Sequence, residues 1–142
     1  MALSASETDF LESHPSAAMI TTAQDGVAKV ARVGIAVVDD KIWSSGTGDR
    51  VRTRRLRRDP RCTLFVFDPQ FAFLTLETTV TLLEGPEAPQ LNLRLFRVMQ
   101  NRPSGPLSWF GGELDEASFL QRMSEEGRLV YEFEVHRSYG IT

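Results

Sequence analysis

The chain has 142 residues, of which 42% are hydrophobic and 25% charged, and its formal net charge is −3. This length and composition predict a single domain over residues 1–142, and the acidic balance argues against a nucleic-acid-binding protein. No apolar run approaches the roughly 20 residues that a membrane span needs, and the N-terminus does not have the pattern of a signal peptide. Cys62 is the only cysteine, so we expect no internal disulfide and a cytoplasmic location.

The N-terminal third of the chain predicts a short helix and three strands. The helix covers residues 6–12, with Ser6 as its cap, and the strands cover residues 17–22, 27–38 and 41–45. Asp25–Gly26 is a strong hairpin signal between the first two strands. The strand over residues 27–38 is apolar on both faces, which is expected of a barrel strand that also meets a second subunit.

The remainder predicts a basic helix, two strands, two further helices and a final strand. The basic helix covers residues 49–58, with Asp49 as its cap and Asp59–Pro60 as its end. Strands follow over residues 62–67 and 71–83, helices over 90–100 and 115–126, and the last strand over 128–136. The segment between the two later helices is predicted as a loop, whose Trp109–Phe110 part could cover a site or simply pack on the surface.

The most unusual feature is a run of arginines in an acidic chain: Arg50, Arg52, Arg54, Arg55, Arg57, Arg58 and Arg61. Wound as a helix, Val51 and Leu56 form an apolar side, and Arg52 and Arg55 project toward the protein body. An unpaired buried guanidinium is costly, so these two side chains need anionic partners. Acidic side chains and a bound ligand are equally open as partners at this point.

The segment before this helix contributes a second, weaker signal. Ser44, Ser45 and Gly46 are followed by Thr47 and Gly48 between a strand and the helix. Hydroxyl groups and free N–H groups in front of a helix N-terminus suit an anion. Serine and glycine are also ordinary capping residues, so the segment alone does not identify a site.

This arrangement resembles the pyridoxamine 5′-phosphate oxidase-like superfamily, and within it the split-barrel reductases that depend on the deazaflavin coenzyme F420 or on FMN. The resemblance covers nearly the whole chain, and its most specific part is Leu-Arg-Arg-Asp-Pro-Arg at residues 56–61. It implies a mainly β fold with α, a six-stranded antiparallel split β-barrel flanked by short helices. It also implies a homodimer with the cofactor in a groove at the subunit interface.

The resemblance assigns cofactor-binding roles by position. Arg50 and Arg52 match the family's phosphate ligands, Arg55 matches a frequent asparagine, and residues 29–33 match the strand along the cofactor ring. The residues expected to bind the cofactor are therefore Lys29, Ala31, Arg32, Val33, Ser44, Ser45, Gly46, Arg50, Arg52 and Arg55. The chain departs from the family in having Arg52 for the usual lysine and Thr78–Thr79 where glycine is frequent.

The function expected from this resemblance is an F420-dependent oxidoreductase that transfers a hydride to or from a small organic substrate. F420 continues beyond its phosphodiester into a tail of carboxylates, which would give the outer arginines a role. The alternatives are an FMN-binding oxidoreductase or a flavin-binding protein without turnover. RNA binding through the arginine helix is a third, less favoured reading. We identify no catalytic side chain and no metal ligand, because the cofactor carries hydride chemistry.

Overall fold

One curled antiparallel sheet and four helices make up the computed structural model, which describes residues 2–142. The helices are α1 (Ala5–Ser13), α2 (Val51–Arg58), α3 (Ala88–Gln100) and α4 (Glu116–Glu125). The strands are β1 (Ser16–Thr22), β2 (Ala28–Gly34), β3 (Ala36–Val38), β4 (Lys41–Thr47), β5 (Arg61–Phe67), β6 (Phe73–Leu83), β7 (Leu107–Trp109), β8 (Gly112–Leu114) and β9 (Arg128–Ile141). The mainly β, half-barrel fold expected from the sequence is confirmed.

The strand predicted over residues 27–38 is divided into β2 and β3. The seven strands of the sheet lie in the order β2-β1-β5-β6-β9-β4-β3, so β2 and β3 are its two edges. Only Ile35 separates them in the chain, and the Ile35 N–H donates to the Pro15 carbonyl at 3.0 Å. The chain therefore bends at Ile35 and closes the curled sheet. Counted as one bent strand, β2 and β3 bring the barrel to the six strands that the resemblance implies.

The barrel interior is filled by the inward-facing residues of alternating strands. β5 shows this clearly, since Cys62, Leu64 and Val66 are buried while their neighbours are more exposed. A second apolar cluster lies outside the barrel, where α3, α4 and β7 contribute Leu93, Leu107, Trp109, Phe119 and Met123. This cluster holds α3, α4 and β7 together, and a third cluster of Val38, Trp43, Leu95 and Val130 packs α3 against the sheet.

Several predicted boundaries are wrong. Ser4, not Ser6, caps α1 in a reciprocal capping box with Glu7. The segment predicted as a loop contains the β7–β8 hairpin, whose turn residues Phe110 and Gly111 both have positive φ. Strands of three residues are too short to show alternation in the sequence.

The last strand also runs farther than predicted. β9 ends at Ile141 rather than at residue 136, and it pairs with β6 from Val130 to Ile141 with a bulge near Glu77 and Thr78. Most of its last six residues are exposed, so the burial pattern that identifies a strand fades there. No helix within residues 2–142 is long and apolar enough to cross a membrane.

Candidate functional site

The candidate site lies where β4 leads into α2 and the start of β9 passes beside it. β4 and β9 are paired so that Thr47 lies opposite Arg128 and Gly46 opposite Leu129. Beyond the strand end, the Gly48 N–H donates to the Gly127 carbonyl at 3.1 Å. The segment before α2 is therefore held against the chain that enters β9.

The N-terminus of α2 differs from the sequence prediction. Arg50 is the N-cap residue, and no side chain bonds to the first N–H groups of the helix. Asp49, which was predicted to cap it, instead accepts a hydrogen bond from the Thr47 hydroxyl at 2.7 Å. That bond is the main cause that lowers the pKa of Asp49. The prediction of an Asp49 cap is therefore wrong, and the helix start is left without a side-chain cap.

Tyr131 fixes this end of α2 from inside the barrel. The hydroxyl of buried Thr53 donates to the Thr47 carbonyl at 2.7 Å, so Tyr131 donates its own hydroxyl hydrogen to Thr53. A methyl group at Gly46 would collide with the Tyr131 ring. The close approach of Tyr131 therefore requires glycine at position 46. Nothing in the sequence alone indicates this role of Tyr131.

Among the arginines of α2, Arg52 has the strongest structural reason to bind an anion. Its guanidinium carbon lies 5.9 Å from the centre of the Tyr131 ring, and its Nε atom is buried with no hydrogen-bond partner within residues 2–142. A buried guanidinium N–H without a partner is costly. An anionic group placed beside it would satisfy that donor, so the residues here fit the phosphate of a flavin-type cofactor.

The orientation predicted for α2 is mostly correct. Arg52 and Arg55 are half-buried, whereas Arg54 and two later arginines of the helix are exposed. Val51, which was predicted on the apolar side, is 52% exposed. Leu56 is buried as predicted, and Thr53 rather than Val51 is buried with it, because positions three apart share a face.

Arg50 lies close to two further positive charges, those of Arg52 and Arg128. Burial lowers the pKa of Arg50, and the positive charges of Arg52 and Arg128 lower it further. A half-buried guanidinium whose charged form is disfavoured in this way would be stabilised by a bound anion. Arg128 could not be identified from the sequence, since only the pairing of β4 with β9 places it here.

The guanidinium of Arg128 is held on two sides. Its Nε and Nη2 atoms both lie 2.9 Å from Glu126 Oε1, and its carbon lies 5.1 Å from the Trp109 ring centre. The side chain is only 10% exposed. Trp109 is also buried, and its indole Nε1 has no hydrogen-bond partner among residues 2–142. The β7–β8 hairpin is thus in contact with the edge of the arginine site.

Partners within the protein account for only some members of the arginine run. Arg57 forms two hydrogen bonds with Glu84, at 2.8 and 2.9 Å, and Arg61 pairs with Asp59. Arg58 donates to the Thr22 carbonyl at 2.6 Å. The remaining arginines, Arg50, Arg52, Arg54 and Arg55, form no ion pair within the part of the chain that the structure describes.

The hydroxyls of Ser44 and Ser45 already have protein partners. Ser44 Oγ donates to the Gly34 carbonyl and Ser45 Oγ to Asn92 Oδ1, each at 2.6 Å. Asn92 is fully buried and was not singled out from the sequence. A role of these serines in binding remains a prediction, and their hydroxyls would have to exchange these bonds to take part.

The residues predicted on β2 are brought only partly toward the arginine site. The Ser44–Gly34 bond joins the end of β2 to β4, and Val33 lies next to it. Lys29 lies five residues from Gly34, which is roughly 17 Å along a strand. Arg32 is exposed and donates from Nε to Ser16 Oγ at 3.1 Å. Lys29 instead lies toward the other end of α2, since it pairs with Thr21 and the neighbouring Thr22 carbonyl accepts a hydrogen bond from Arg58.

Comparison with known proteins identifies similar sequences and folds. A family model described as pyridoxamine 5′-phosphate oxidase matches residues 4–137. Among solved structures, the conserved hypothetical protein Rv2991 from Mycobacterium tuberculosis is similar over 99% of this chain and 86% of its own, with 22% identity and a TM-score of 0.76. A structure named F420 reductase is similar over 92% of this chain and 94% of its own, with 16% identity and a TM-score of 0.65.

A third similar structure is the heme storage protein HutZ from Vibrio cholerae. It covers 99% of this chain and 96% of its own, with 12% identity and a TM-score of 0.68. A search of curated proteins finds no match. Identities this low show a shared fold, and that fold occurs in proteins named for different ligands.

Proposed function

The chain belongs to the pyridoxamine 5′-phosphate oxidase family of flavin-binding oxidoreductases, and on this premise we propose that it is an F420-dependent oxidoreductase. In this proposal it transfers a hydride between the deazaflavin and a small organic substrate. The observation that carries the proposal is the buried Nε of Arg52, which has no partner among the described residues. An anionic group bound at this place would supply that partner.

The binding geometry follows from the residues around Arg52. Arg50 and Arg52 would contact the phosphate, and the uncapped start of α2 would offer N–H groups to the same oxygen atoms. Arg55 is half-buried on the same helix and has no carboxylate partner in residues 2–142. These groups hold a charge in a fixed place and exclude water from it, while the bound deazaflavin supplies the hydride.

The choice of F420 over FMN is supported by the number of arginines left without partners. FMN ends in one phosphate, for which Arg50 and Arg52 are sufficient. Arg54 and Arg55 then remain without an ion pair among residues 2–142. A phosphodiester followed by carboxylates offers these further cations a partner. FMN is the alternative cofactor, and a flavin-binding protein without turnover is the alternative function.

The proposed assembly is a homodimer that joins the outer faces of two sheets. The pairing of β5, β6 and β9 places a set of apolar side chains together on that face: Phe65, Phe67, Phe73, Tyr139 and Ile141. Phe65 contacts both Phe67 and Phe73, with ring centres 5.5 and 5.7 Å apart. Exposed apolar surface of this kind is typical of protein interfaces. A second copy of the chain would cover it.

Titration of the purified protein with F420 and, separately, with FMN tests the proposal. We expect F420 to bind more tightly than FMN. We also expect Arg52→Met and Arg55→Met each to weaken F420 binding at least about tenfold, as loss of a charge-assisted contact does. Arg57→Met is the matched control on the same helix, since Arg57 already pairs with Glu84, and it should change affinity less than about threefold.

Two outcomes would contradict the proposal. If neither cofactor binds, the cofactor-dependent function is wrong. If Arg57→Met costs as much affinity as Arg52→Met, the assignment of the site to the inner arginines is wrong. Light scattering tests the assembly separately: the wild type should be dimeric, and Phe73→Glu should make it monomeric.

A further inference from the structure

A cleft outside the arginine site lies between the α1–β1 turn, β2 and the end of β5. Its volume is about 690 Å³, which falls in the range of small-molecule sites, about 300–1,000 Å³. It is lined by residues 13–18, Val30, Ala31, Arg32 and Phe67. None of these residues belongs to α2, so a molecule bound here leaves the arginine site free.

Most of the cleft lining is apolar. Val30 is 65% exposed, and Pro15, Ala17 and Ala18 form the apolar surface beside it, while Phe67 lies at the border between the cleft and the face proposed for the dimer. Large apolar side chains exposed in a concavity gain free energy when an apolar molecule covers them. The cleft therefore suits a molecule with an apolar body, such as an aromatic ring system.

Arg32 gives the cleft a positive charge. Its Nε atom donates to Ser16 Oγ at 3.1 Å, which orients the guanidinium while its two terminal nitrogens make no bond to residues 2–142. No aspartate or glutamate lines the cleft. A guanidinium presented in this way can bind a carboxylate through two parallel hydrogen bonds.

His14 provides a second polar group with a defined orientation. Its Nδ1 lies 3.0 Å from the Phe10 carbonyl oxygen, and because a carbonyl only accepts, Nδ1 carries the hydrogen. The imidazole also packs on the Phe10 ring, with centres 4.4 Å apart. The other ring nitrogen, Nε2, has no partner within the described chain and is available to a hydroxyl of a ligand.

We propose that this cleft binds the substrate and that the substrate is a planar apolar molecule with a carboxylate or similar anionic group. Arg32 binds the anionic group, and His14 Nε2 accepts a hydrogen bond from a hydroxyl or amine of the same molecule. This assignment rests on the proposed function in one respect. Ala31 and Arg32 belong to the strand expected along the cofactor ring, so a molecule in the cleft lies beside that ring.

Two fluorescent probes that share an apolar body test the cleft in cofactor-free protein. One is 8-anilinonaphthalene-1-sulfonate, which is an anion, and the other is N-phenyl-1-naphthylamine, which lacks the sulfonate. We expect Arg32→Gln to weaken binding of the anionic probe about tenfold and that of the neutral probe less than about twofold. Arg32 is exposed, so the variant should fold normally, which thermal unfolding checks.

Two further variants locate the probes. Ala18 lies opposite Arg32 in the pairing of β1 with β2, so Ala18→Phe fills the cleft and should weaken both probes at least about fivefold. Arg137→Gln is the control, because Arg137 is an exposed arginine 5.7 Å from the Tyr139 ring on the apolar outer face. It should leave both affinities unchanged.

The proposal is overturned if neither probe binds the wild type, or if Ala18→Phe leaves both affinities unchanged. It is also overturned if Arg32→Gln weakens the two probes equally, or if Arg137→Gln weakens the anionic probe as much as Arg32→Gln does. The test does not involve the cofactor. A negative result therefore removes the cleft assignment while F420 binding stands, and failure to bind F420 leaves the probe result unaffected.

Discussion

The guanidinium of Arg52 lies over the ring of Tyr131, 5.9 Å from its centre, while the hydroxyl of the same tyrosine donates to Thr53. One side chain from β9 thus positions both the charge and the helix that carries it. The aromatic face attracts the cation, but it does not satisfy the buried Nε. Arg52 is therefore fixed in position with one buried N–H group that has no partner among the described residues, and a bound anion would satisfy it.

Arg52→Met should not lower the free energy of unfolding, since it removes a buried charged group that has no partner and keeps the apolar part of the side chain. Thermal unfolding of the two proteins measures this. Added inorganic phosphate should raise the midpoint of the wild type and leave that of Arg52→Met unchanged, because only a bound ligand stabilises the folded state. Equal shifts in both proteins would show that phosphate binds elsewhere.

Gly46→Ala should be strongly destabilising, because its methyl group would collide with the Tyr131 ring inside the barrel. Overpacking of this kind costs about 1–3 kcal/mol. Gly48→Ala is the control two residues away: its methyl group would lie 3.9 Å from the Gly127 carbonyl oxygen, which is an ordinary contact. Urea unfolding should place Gly48→Ala within about 0.5 kcal/mol of wild type.

Trp109 should report on the charge of Arg128, because the two side chains are in contact at 5.1 Å. In a Trp43→Phe background, Trp109 is the only tryptophan, and F420 or pyrophosphate should change its emission. Arg128→Gln should remove most of that change and weaken F420 binding about threefold to tenfold.

The control for this experiment is an arginine outside the site. Arg94 lies on α3 and already pairs with Asp39, so Arg94→Gln should alter neither affinity nor the Trp109 signal. If saturating ligand leaves the Trp109 emission unchanged both in the Trp43→Phe protein and in its Arg128→Gln variant, the hairpin does not sense the site.

Cys62 should not react with thiol reagents in the folded protein. Burial raises the pKa of its thiol to about 12, and the thiolate is the reactive form. At pH 8, dithionitrobenzoate should label Cys62 only when the protein unfolds. Urea should therefore accelerate the labelling. The raised pKa also predicts a pH effect. The thiol ionises at about 8.5 in the unfolded chain and only at higher pH in the folded protein, so stability should fall as pH rises from about 9 toward 12.

The pattern in α2 could be interpreted from the sequence because its information is local. Spacing along one helix is sufficient to separate Arg52 and Arg55 from Arg54, Arg57 and Arg58. The family resemblance at residues 56–61 then predicts the split-barrel fold. Tyr131 and Arg128 could not be found, because they reach the helix only through the register of β4 with β9, and register depends on the whole sheet.

The errors have equally specific causes. Asp49 has the side chain of a good helix cap, but the hydroxyl of Thr47 competes for its carboxylate. Residues 27–38 have the apolar pattern of one strand, and only Gly34 gives a local hint that the chain leaves one edge of the sheet for the other at Ile35. Competition within a loop and the closure of a sheet are both tertiary effects.

The bend at Ile35 has a consequence for how the barrel can move. Because the two edge strands meet at one residue, no loop between them can lengthen to let the edges separate. For the two edge strands to separate, the Ile35 N–H bond to Pro15 must break, and the Ile35 side chain, which is 1% accessible, must become exposed. In hydrogen exchange, the Ile35 amide should therefore exchange only when the whole domain unfolds, as slowly as the central strands and unlike an ordinary sheet edge.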